Sequence, residues 1–517
     1  MSGAKILWVD DEIDLLKPHI LFLKGKGYDV ETCNNGYDAI DLVAARQFDL
    51  VILDEMMPGL TGLETLPRIK ELRPMTPVIM VTKSEEENIM DKAVGSKIAD
   101  YLIKPVNPNQ VLLSIKKNVH SQQLVTEQTT ADYRSEFGRI SSSFADARTF
   151  ADWVQIYRKL YNWEMELSES TDPGVREILS YQKNEANNEF AKFIKNRYLD
   201  WFAKPDDDTP VMSQNLIRKK VFPVVDAAPK TTFFLIDNFR LDQWRMIRPV
   251  LHGLFDVEQE DFYCSILPTA TQYARNAIFA GLTPLAIDKI MPDLWLNDNE
   301  HGGKNQHEED FLRRQMQSQG KSYKLFFDKI VKTDSGKRLI ENIDKVHNAD
   351  FSVIVYNFLD ILSHARTETQ IIRDLAEDEA AFRSLTRSWF EHSDLLELMR
   401  LLAERGHTII ITSDHGTIQV DNPVRVQGDR ATSSNLRYKT GRNLGFNQKE
   451  VFAITKPELA HLPKSNITST YIFAYNRDFF VYPNNTNQFV RYYNNTFQHG
   501  GISMEEMIVP FLVLKPR

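Results

Sequence analysis

Over residues 1–120, short apolar runs alternate with stretches of helical periodicity. The runs are Lys5–Val9 (KILWV), Tyr28–Cys33, Leu50–Leu53, Pro77–Val81 and Tyr101–Ile103, each closed by Asp, Asn, Thr or Lys-Pro. Runs that are apolar on both faces and separated by helices predict a five-stranded parallel sheet covered on both sides. Such a sheet carries its ligand site at the carboxyl ends of the strands. Strand signals then vanish over residues 121–210. Phe150, Trp153, Val154, Tyr157, Leu160 and Tyr161 recur at steps of three and four, as do Phe190, Phe193, Ile194, Tyr198 and Trp201. Each set is one apolar stripe of a helix, and the two predict a central helical bundle ending in the turn-rich Lys204–Pro210. Over residues 211–517 strands return at Thr231–Ile236, Phe262–Ile266, Phe351–Tyr356, Thr408–Thr412 and Ile508–Leu514. A helical stretch covers Gln370–Glu404, and the polar Leu296–Lys321 reads as an insertion or lid. The expectation is a multidomain α/β chain with domains at 1–120, 121–210 and 211–517.

Composition narrows the function. With 42% hydrophobic and 26% charged residues the chain is ordinary globular material. Its net charge of −9 gives no global attraction to nucleic acid. No apolar run reaches the roughly 18–20 residues needed to span a bilayer. Near the start, WVDDE puts two aspartates where a secretory signal would need its apolar centre. Two cysteines, Cys33 and Cys264, cannot form a disulfide framework, and together these features point to the cytoplasm.

Chemistry gathers first at the strand ends of residues 1–120. Asp10 and Asp11 follow the first strand, Asp54 the third, Thr82 the fourth and Lys104 the fifth. Three crowded carboxylates repel one another and invite a hard divalent cation such as Mg²⁺. A metal, a lysine and a hydroxyl around one aspartate suit an acyl phosphate. The segments WVDDE, ILDEMMPGLTG, VTK and YLIKP resemble the receiver domain of two-component response regulators, a (βα)5 fold. The resemblance implies that Asp54 accepts a phosphoryl group from a sensor histidine kinase. It implies too that Asp10, Asp11 and Asp54 hold Mg²⁺, that Lys104 pairs with the phosphate, that Thr82 turns to bond it, and that Tyr101 changes rotamer as the readout.

A second constellation is scattered over residues 211–517. Asp237 ends TTFFLID, and Asp360 and His364 stand four apart in DILSH, a spacing that puts them on one helix face. Asp414 and His415 end TIIITSDH, and His499 opens HGGISMEEM ahead of the last strand. Three aspartates and three histidines suit Zn²⁺, with Mn²⁺ as the alternative, and six ligands suffice for two ions. Within ILPTATQYAR, Thr269 and Thr271 compete as a nucleophile at a helix start, where unpaired N–H groups also bind phosphate. A plain helix cap is the commonest use of either. Arg275, one turn on, either contacts phosphate or forms an ion pair inside the domain. His301 and His307 sit in the polar insertion with no strand to fix them. The basic loop Arg425–Arg442 reads as solvated rather than as a cradle for a polyanion.

The order Asp, Thr, Asp-x-x-x-His, Asp-His, His-Gly-Gly resembles the alkaline phosphatase superfamily in its PglZ-like branch. By that resemblance Asp237, Thr271, Asp414 and His415 bind one Zn²⁺, and Asp360, His364 and His499 bind the other. The resemblance also implies that Thr271 attacks phosphorus and forms a phospho-enzyme. The full arrangement resembles PorX-type response regulators, a family associated with type IX secretion. It implies a sigma factor as a candidate partner and a homodimer on phosphorylation. A threonine nucleophile implies phosphodiesters as substrates, nucleotides or short oligonucleotides. No basic recognition helix is found, so sequence-specific DNA binding is not expected. The competing reading is a regulator without catalysis, whose metal-bound C-terminal domain binds a protein.

Overall fold

The computed structural model describes residues 4–517 except 74–75, 84–97, 120, 168–172, 229, 299, 301, 331–332, 358, 360–377, 429–431, 465, 467 and 484–485. The chain forms two compact units. One comprises residues 1–135 with 169–171, and the other 136–168 with 172–517.

In the first unit β1 (Lys5–Val9), β2 (Asp29–Cys33), β3 (Leu50–Asp54), β4 (Val78–Thr82) and β5 (Asp100–Ile103) form a parallel sheet in the order β2-β1-β3-β4-β5. Doubly apolar strands work here because each face has its own core. Ile6, Trp8, Ile52 and Val81 pack on one side, and Leu7, Val9, Leu53 and Met80 on the other. β4 begins one residue after Pro77, which has no N–H to give to the ladder. Helices Lys17–Gly25, Gly36–Ala45, Gly62–Leu72 and Pro108–Val119 follow the strands. The segment between β4 and β5 lies largely outside the described residues.

In the second unit the aromatic stripes serve as core. Phe150–Leu167 and Pro173–Arg197 are helices, and the Trp153 and Phe190 rings meet at 5.4 Å. The helical segment from residue 136 onward shares this unit with the large α/β core rather than standing apart from it. That core is a mixed sheet of β6 (Thr231–Ile236), β7 (Phe255–Cys264), β8 (Leu325–Ile330), β9 (Phe351–Tyr356), β10 (Thr408–Thr412) and β11 (Ile508–Pro516). The spatial order is β7-β11-β10-β6-β9-β8, with β10, β6, β9 and β8 parallel and β11 antiparallel to both its neighbours. β8 and the first half of β7 escape the sequence pattern because they are half-exposed and carry charges, so they show no apolar run. Within the helical stretch expected over 370–404 the described residues form the helices Glu379–Glu391 and Asp394–Glu404, split where Ser393 caps the second by accepting from the Leu396 N–H.

This topology decides what meets what. β6 and β10 are parallel neighbours, so Asp237 and Asp414 emerge side by side at their carboxyl ends. β11 runs the other way, so residues just before it reach the same end, and Ile508 pairs with Cys264 at the end of β7.

Candidate functional site

The receiver-type pocket lies at the ends of β1, β3 and β5. Asp10 and Asp54 are buried and Asp11 is exposed, and the three offer oxygen atoms within 4.8 Å of one another. Lys104 Nζ stands 2.8 Å from Asp10 and 3.0 Å from Asp54. One cation against three carboxylates leaves excess negative charge. At about 4 Å and an effective dielectric near 20, each like pair costs roughly 4 kcal/mol. Burial pushes the Asp54 carboxyl up to about 6, and Asp10 and Asp11 add to the rise against the pull of Lys104. The donor set, all carboxylate oxygen, fits a hard divalent ion. Thr82 is fully buried, and its side chain bonds Tyr101, whose hydroxyl burial shifts upward. Gly62 opens its helix against the pocket, because a Cβ there would stand 2.3 Å from the Asp54 carbonyl oxygen.

The second site sits at the common edge of β6, β10, β7 and β11. Asp237, Asp414 and His415 are all buried, with ligand atoms within 4.8 Å of one another. His415 Nε2 lies 3.9 Å from an oxygen of each aspartate. Its Nδ1 is 3.1 Å from the Gly416 carbonyl, which can only accept, so Nδ1 carries the proton and Nε2 offers its lone pair to the site. Thr271 Oγ is 3.2 Å from that Nε2. Two donors on one tetrahedral ion with bonds of about 2.0–2.1 Å stand roughly 3.3 Å apart, so this spacing fits a shared zinc. The donor set of two carboxylates, an imidazole and a hydroxyl fits as well.

Thr271 and Thr269 are separated by their partners. Thr269 is fully buried; its hydroxyl donates to the Gly501 carbonyl at 2.9 Å and accepts from the Gly500 N–H at 3.0 Å. It is occupied with structure. Thr271 is the first residue of the helix Thr271–Ala280, whose free N–H groups and positive end face the site. His499 stacks on His415 with ring centres 4.2 Å apart, and its Nδ1 is fixed by the Thr269 carbonyl at 3.1 Å. Asp360 and His364 lie outside the described residues, so the second group of expected ligands is represented by His499.

Arg275 resolves toward the ion pair. It is fully buried, bonded to Asp237 and, at 2.8 Å, to Asp414, with Glu308 at 3.6 Å and Asn357 at 3.1 Å. It therefore orients the two aspartates and has no exposed face for a substrate. Asp414 is held well below the usual carboxylate range; its burial works against this, and the Arg275 guanidinium beside it prevails. Glu308 and Asn357 carry no motif and were invisible in the sequence. The basic loop also needs correcting. Arg425 and Arg442 are exposed, but Arg437 and Lys439 are buried, and Arg430 lies outside the described residues. Arg437 pairs with Glu506 at 2.5 Å, and Lys439 donates to the Ser433 carbonyl at 2.9 Å. The loop is neither solvated nor a cradle at these positions. His307 pairs with Asp310 on the surface, and His301 lies outside the described residues.

Above His499 a cleft of 430 Å³ opens, lined by Gln272, Asn435, Tyr438, Tyr492, Tyr493 and Gln498 among others. The polar insertion forms one wall and is pinned down. Asp298 accepts from Tyr273 and Tyr438, and Asn305 donates to the Thr271 carbonyl at 3.0 Å.

Residues 216–514, more than half of the chain, match the family described as the BREX system PglZ alkaline phosphatase-like domain. Residues 123–202 match the PorX response regulator linker domain, and residues 6–116 the response regulator receiver domain. The chain is 33% identical over 142 residues to the transcriptional regulatory protein ZraR of Escherichia coli O157:H7, covering 28% of this chain and 32% of that one. It is 36% identical over 115 residues to the transcriptional regulatory protein ResD of Bacillus subtilis, covering 22% and 48%. It thus spans a third to a half of the length of these relatives. A CheY-like receiver domain protein from Methanospirillum hungatei is similar at 30% identity and TM-score 0.23, covering 24% of this chain and 98% of its own. The receiver domain implies phosphorylation by a histidine kinase, the PglZ domain a phosphoesterase-type hydrolase, and both kinds of domain generally use divalent metals. Among the described residues no helix is long and apolar enough to cross a membrane. The chain belongs to the PorX-type response regulators, in which a receiver domain and a linker precede a PglZ alkaline phosphatase-like domain.

Proposed function

We propose that a sensor histidine kinase phosphorylates Asp54 and thereby controls a zinc-dependent phosphodiesterase centred on Thr271. The receiver switch is the set Asp10, Asp11, Thr82, Tyr101 and Lys104, with Mg²⁺ at the three carboxylates. One observation carries the hydrolase reading: a hydroxyl at a helix N-terminus stands 3.2 Å from an imidazole nitrogen beside two buried aspartates.

Asp237, Asp414 and His415 would hold one zinc, and His499, Asp360 and His364 the second. Bound zinc supplies positive charge that lowers the Thr271 hydroxyl pKa and offsets charge on the phosphoryl oxygens. The Thr271 oxygen bonds phosphorus as the bond to the leaving alkoxide breaks. The hydroxyl proton goes to solvent and the leaving oxygen takes one from it. The N–H groups of the first helical turn bind the phosphoryl oxygens. Water then cleaves the phosphothreonine, returning the hydroxyl and releasing a phosphomonoester. Arg275 keeps both aspartates aimed throughout and favours the ionised form of Asp414. The cleft, rich in tyrosine and amide groups and carrying Asp298 and Lys304 in its lining, supports a nucleotide or short oligonucleotide, because tyrosine rings stack on bases and amides bond their edges. Phosphorylation shifts the chain toward a homodimer with the helical segment as relay, and the output acts on type IX secretion, with a sigma factor as candidate partner.

The test is release of nitrophenol from bis-p-nitrophenyl phosphate by purified protein with Zn²⁺. Thr271→Ala is expected to lose turnover by at least about a thousandfold while keeping its metal. Full activity in that variant, or no metal-dependent release by wild-type protein with metal content verified, contradicts the proposal.

A further inference from the structure

The imidazoles of His415 and His499 hang from one short helix, Met504–Met507, just before β11. Gly416 follows His415 and orients its ring through the carbonyl that Nδ1 bonds. The Gly416 N–H donates to the Glu506 carbonyl at 3.1 Å. Gly416 also lies so close to the short helix that a Cβ on it would stand 2.0 Å from the Glu505 carbonyl oxygen. On the other side, the Glu506 carboxylate accepts from the Gly501 N–H at 2.9 Å, two residues beyond His499, and is itself held by Arg437 and by the Ser503 hydroxyl at 2.8 Å. Any shift of Met504–Met507 therefore moves both histidines.

What anchors this helix comes from the helical segment. Asn187, buried on the helix Pro173–Arg197, accepts the Met504 N–H at 2.8 Å and donates to the Glu505 carboxylate at 2.9 Å. The Met504 N–H is one of the free donors of a helix start, and nothing within the helix can satisfy it. Lys183, one turn earlier, stands 3.9 Å from Glu505 and 2.7 Å from Glu164. Asn187 and Glu505 also line a cavity of 340 Å³, so the contact has open space on one side and can loosen without disrupting packed core.

We infer that Asn187 is a positioning residue for the hydrolase centre, the point at which the helical segment sets the orientation of His415 and His499. The inference rests on the zinc phosphodiesterase reading. It makes the linker helices part of the catalytic apparatus, acting through a donor and an acceptor on one amide.

Because an amide supplies both, its role can be taken away and returned. In Asn187→Asp the acceptor for Met504 survives, but two carboxylates face each other at hydrogen-bond distance. In Asn187→Asp with Glu505→Gln, the glutamine amide donates to the new carboxylate, and the pair is restored with its polarity reversed. The experiment uses the full chain, with zinc affinity measured by competition with a chromophoric chelator, kcat and KM on bis-p-nitrophenyl phosphate, and melting in EDTA. Asn187→Asp is expected to lose about tenfold in zinc affinity, the low end for residues that orient metal ligands, with kcat falling and KM unchanged. The double variant is expected to recover both to within about twofold. Wild-type zinc affinity and kcat in Asn187→Asp would overturn the inference. So would a double variant that melts like wild type and stays impaired. Wild-type protein that binds zinc without hydrolysing the diester would sink the phosphodiesterase reading instead, and the affinity comparison would still decide the role of Asn187.

Discussion

Replacing Arg275 by methionine tests how the charge at the second site is balanced. The side chain is fully buried, and its guanidinium bridges Asp237 and Asp414 with Glu308 3.6 Å away. Methionine fills most of the space but leaves buried carboxylates without their cation. Removing one partner of a buried pair typically costs about 3–5 kcal/mol, because the remaining charge is stranded. At roughly 2 °C per kcal/mol for a domain of this size, melting in EDTA is expected about 6–10 °C below wild type. Zinc changes the sum. An ion between Asp237 and Asp414 supplies positive charge where the guanidinium was, so the variant, freed of the competing cation, is expected to bind zinc more tightly than wild type. At saturating zinc a hundredfold difference in affinity narrows the gap between the two proteins by about 2.7 kcal/mol. Thermal or urea unfolding of both proteins, with EDTA and with saturating zinc, measures the difference. The expected outcome is a deficit in zinc about half of that in EDTA. An equal deficit in both conditions would refute the shared-cation argument, since the aspartates would then not be facing the bound ion.

Two more outcomes follow from other parts of the molecule. Light scattering with and without a phosphoryl donor is expected to show a rise in mass that is absent in Asp54→Asn; an unchanged wild-type mass would contradict dimer control. Lys439 is buried, and burial pushes its ammonium down to about 8 from 10.5. Between pH 8 and 10.5 the unfolded chain holds the extra proton, so stability should rise with pH across that window and carry a penalty of about 3 kcal/mol below pH 8. Lys439→Met is expected to flatten the rise and to stabilise the protein at pH 7 by part of that amount, as read by urea unfolding.

How far the sequence exposes this design depends on what kind of signal each part leaves. β1, β3, β4, β6, β9 and β10 show as apolar runs because both faces are covered, and β7 and β8 hide because half-exposed edges carry charge. Asp237, Asp414 and His415 stand out in the sequence because each lies within three residues of the end of an apolar strand. Asn187, Glu308 and Asn357 were not, since a buried polar residue is identified by its partner, and these partners lie far away in sequence. Arg437 was misread for the same reason. Its neighbours are basic, which reads as a solvated loop, and its counter-charge is Glu506, sixty-nine residues on. Thr269 and Thr271 look equivalent in ILPTATQYAR, and their partners tell them apart: the Gly500–Gly501 backbone closes on Thr269, and His415 stands beside Thr271.

Anomalous diffraction at the zinc edge from crystals of the full chain tests the central claim most directly. The account predicts a peak about 2.0–2.2 Å from Asp237, Asp414 and the Nε2 of His415, with the Thr271 hydroxyl beside it. Zinc-soaked crystals with no peak among those side chains, or with zinc bound only elsewhere, would contradict it.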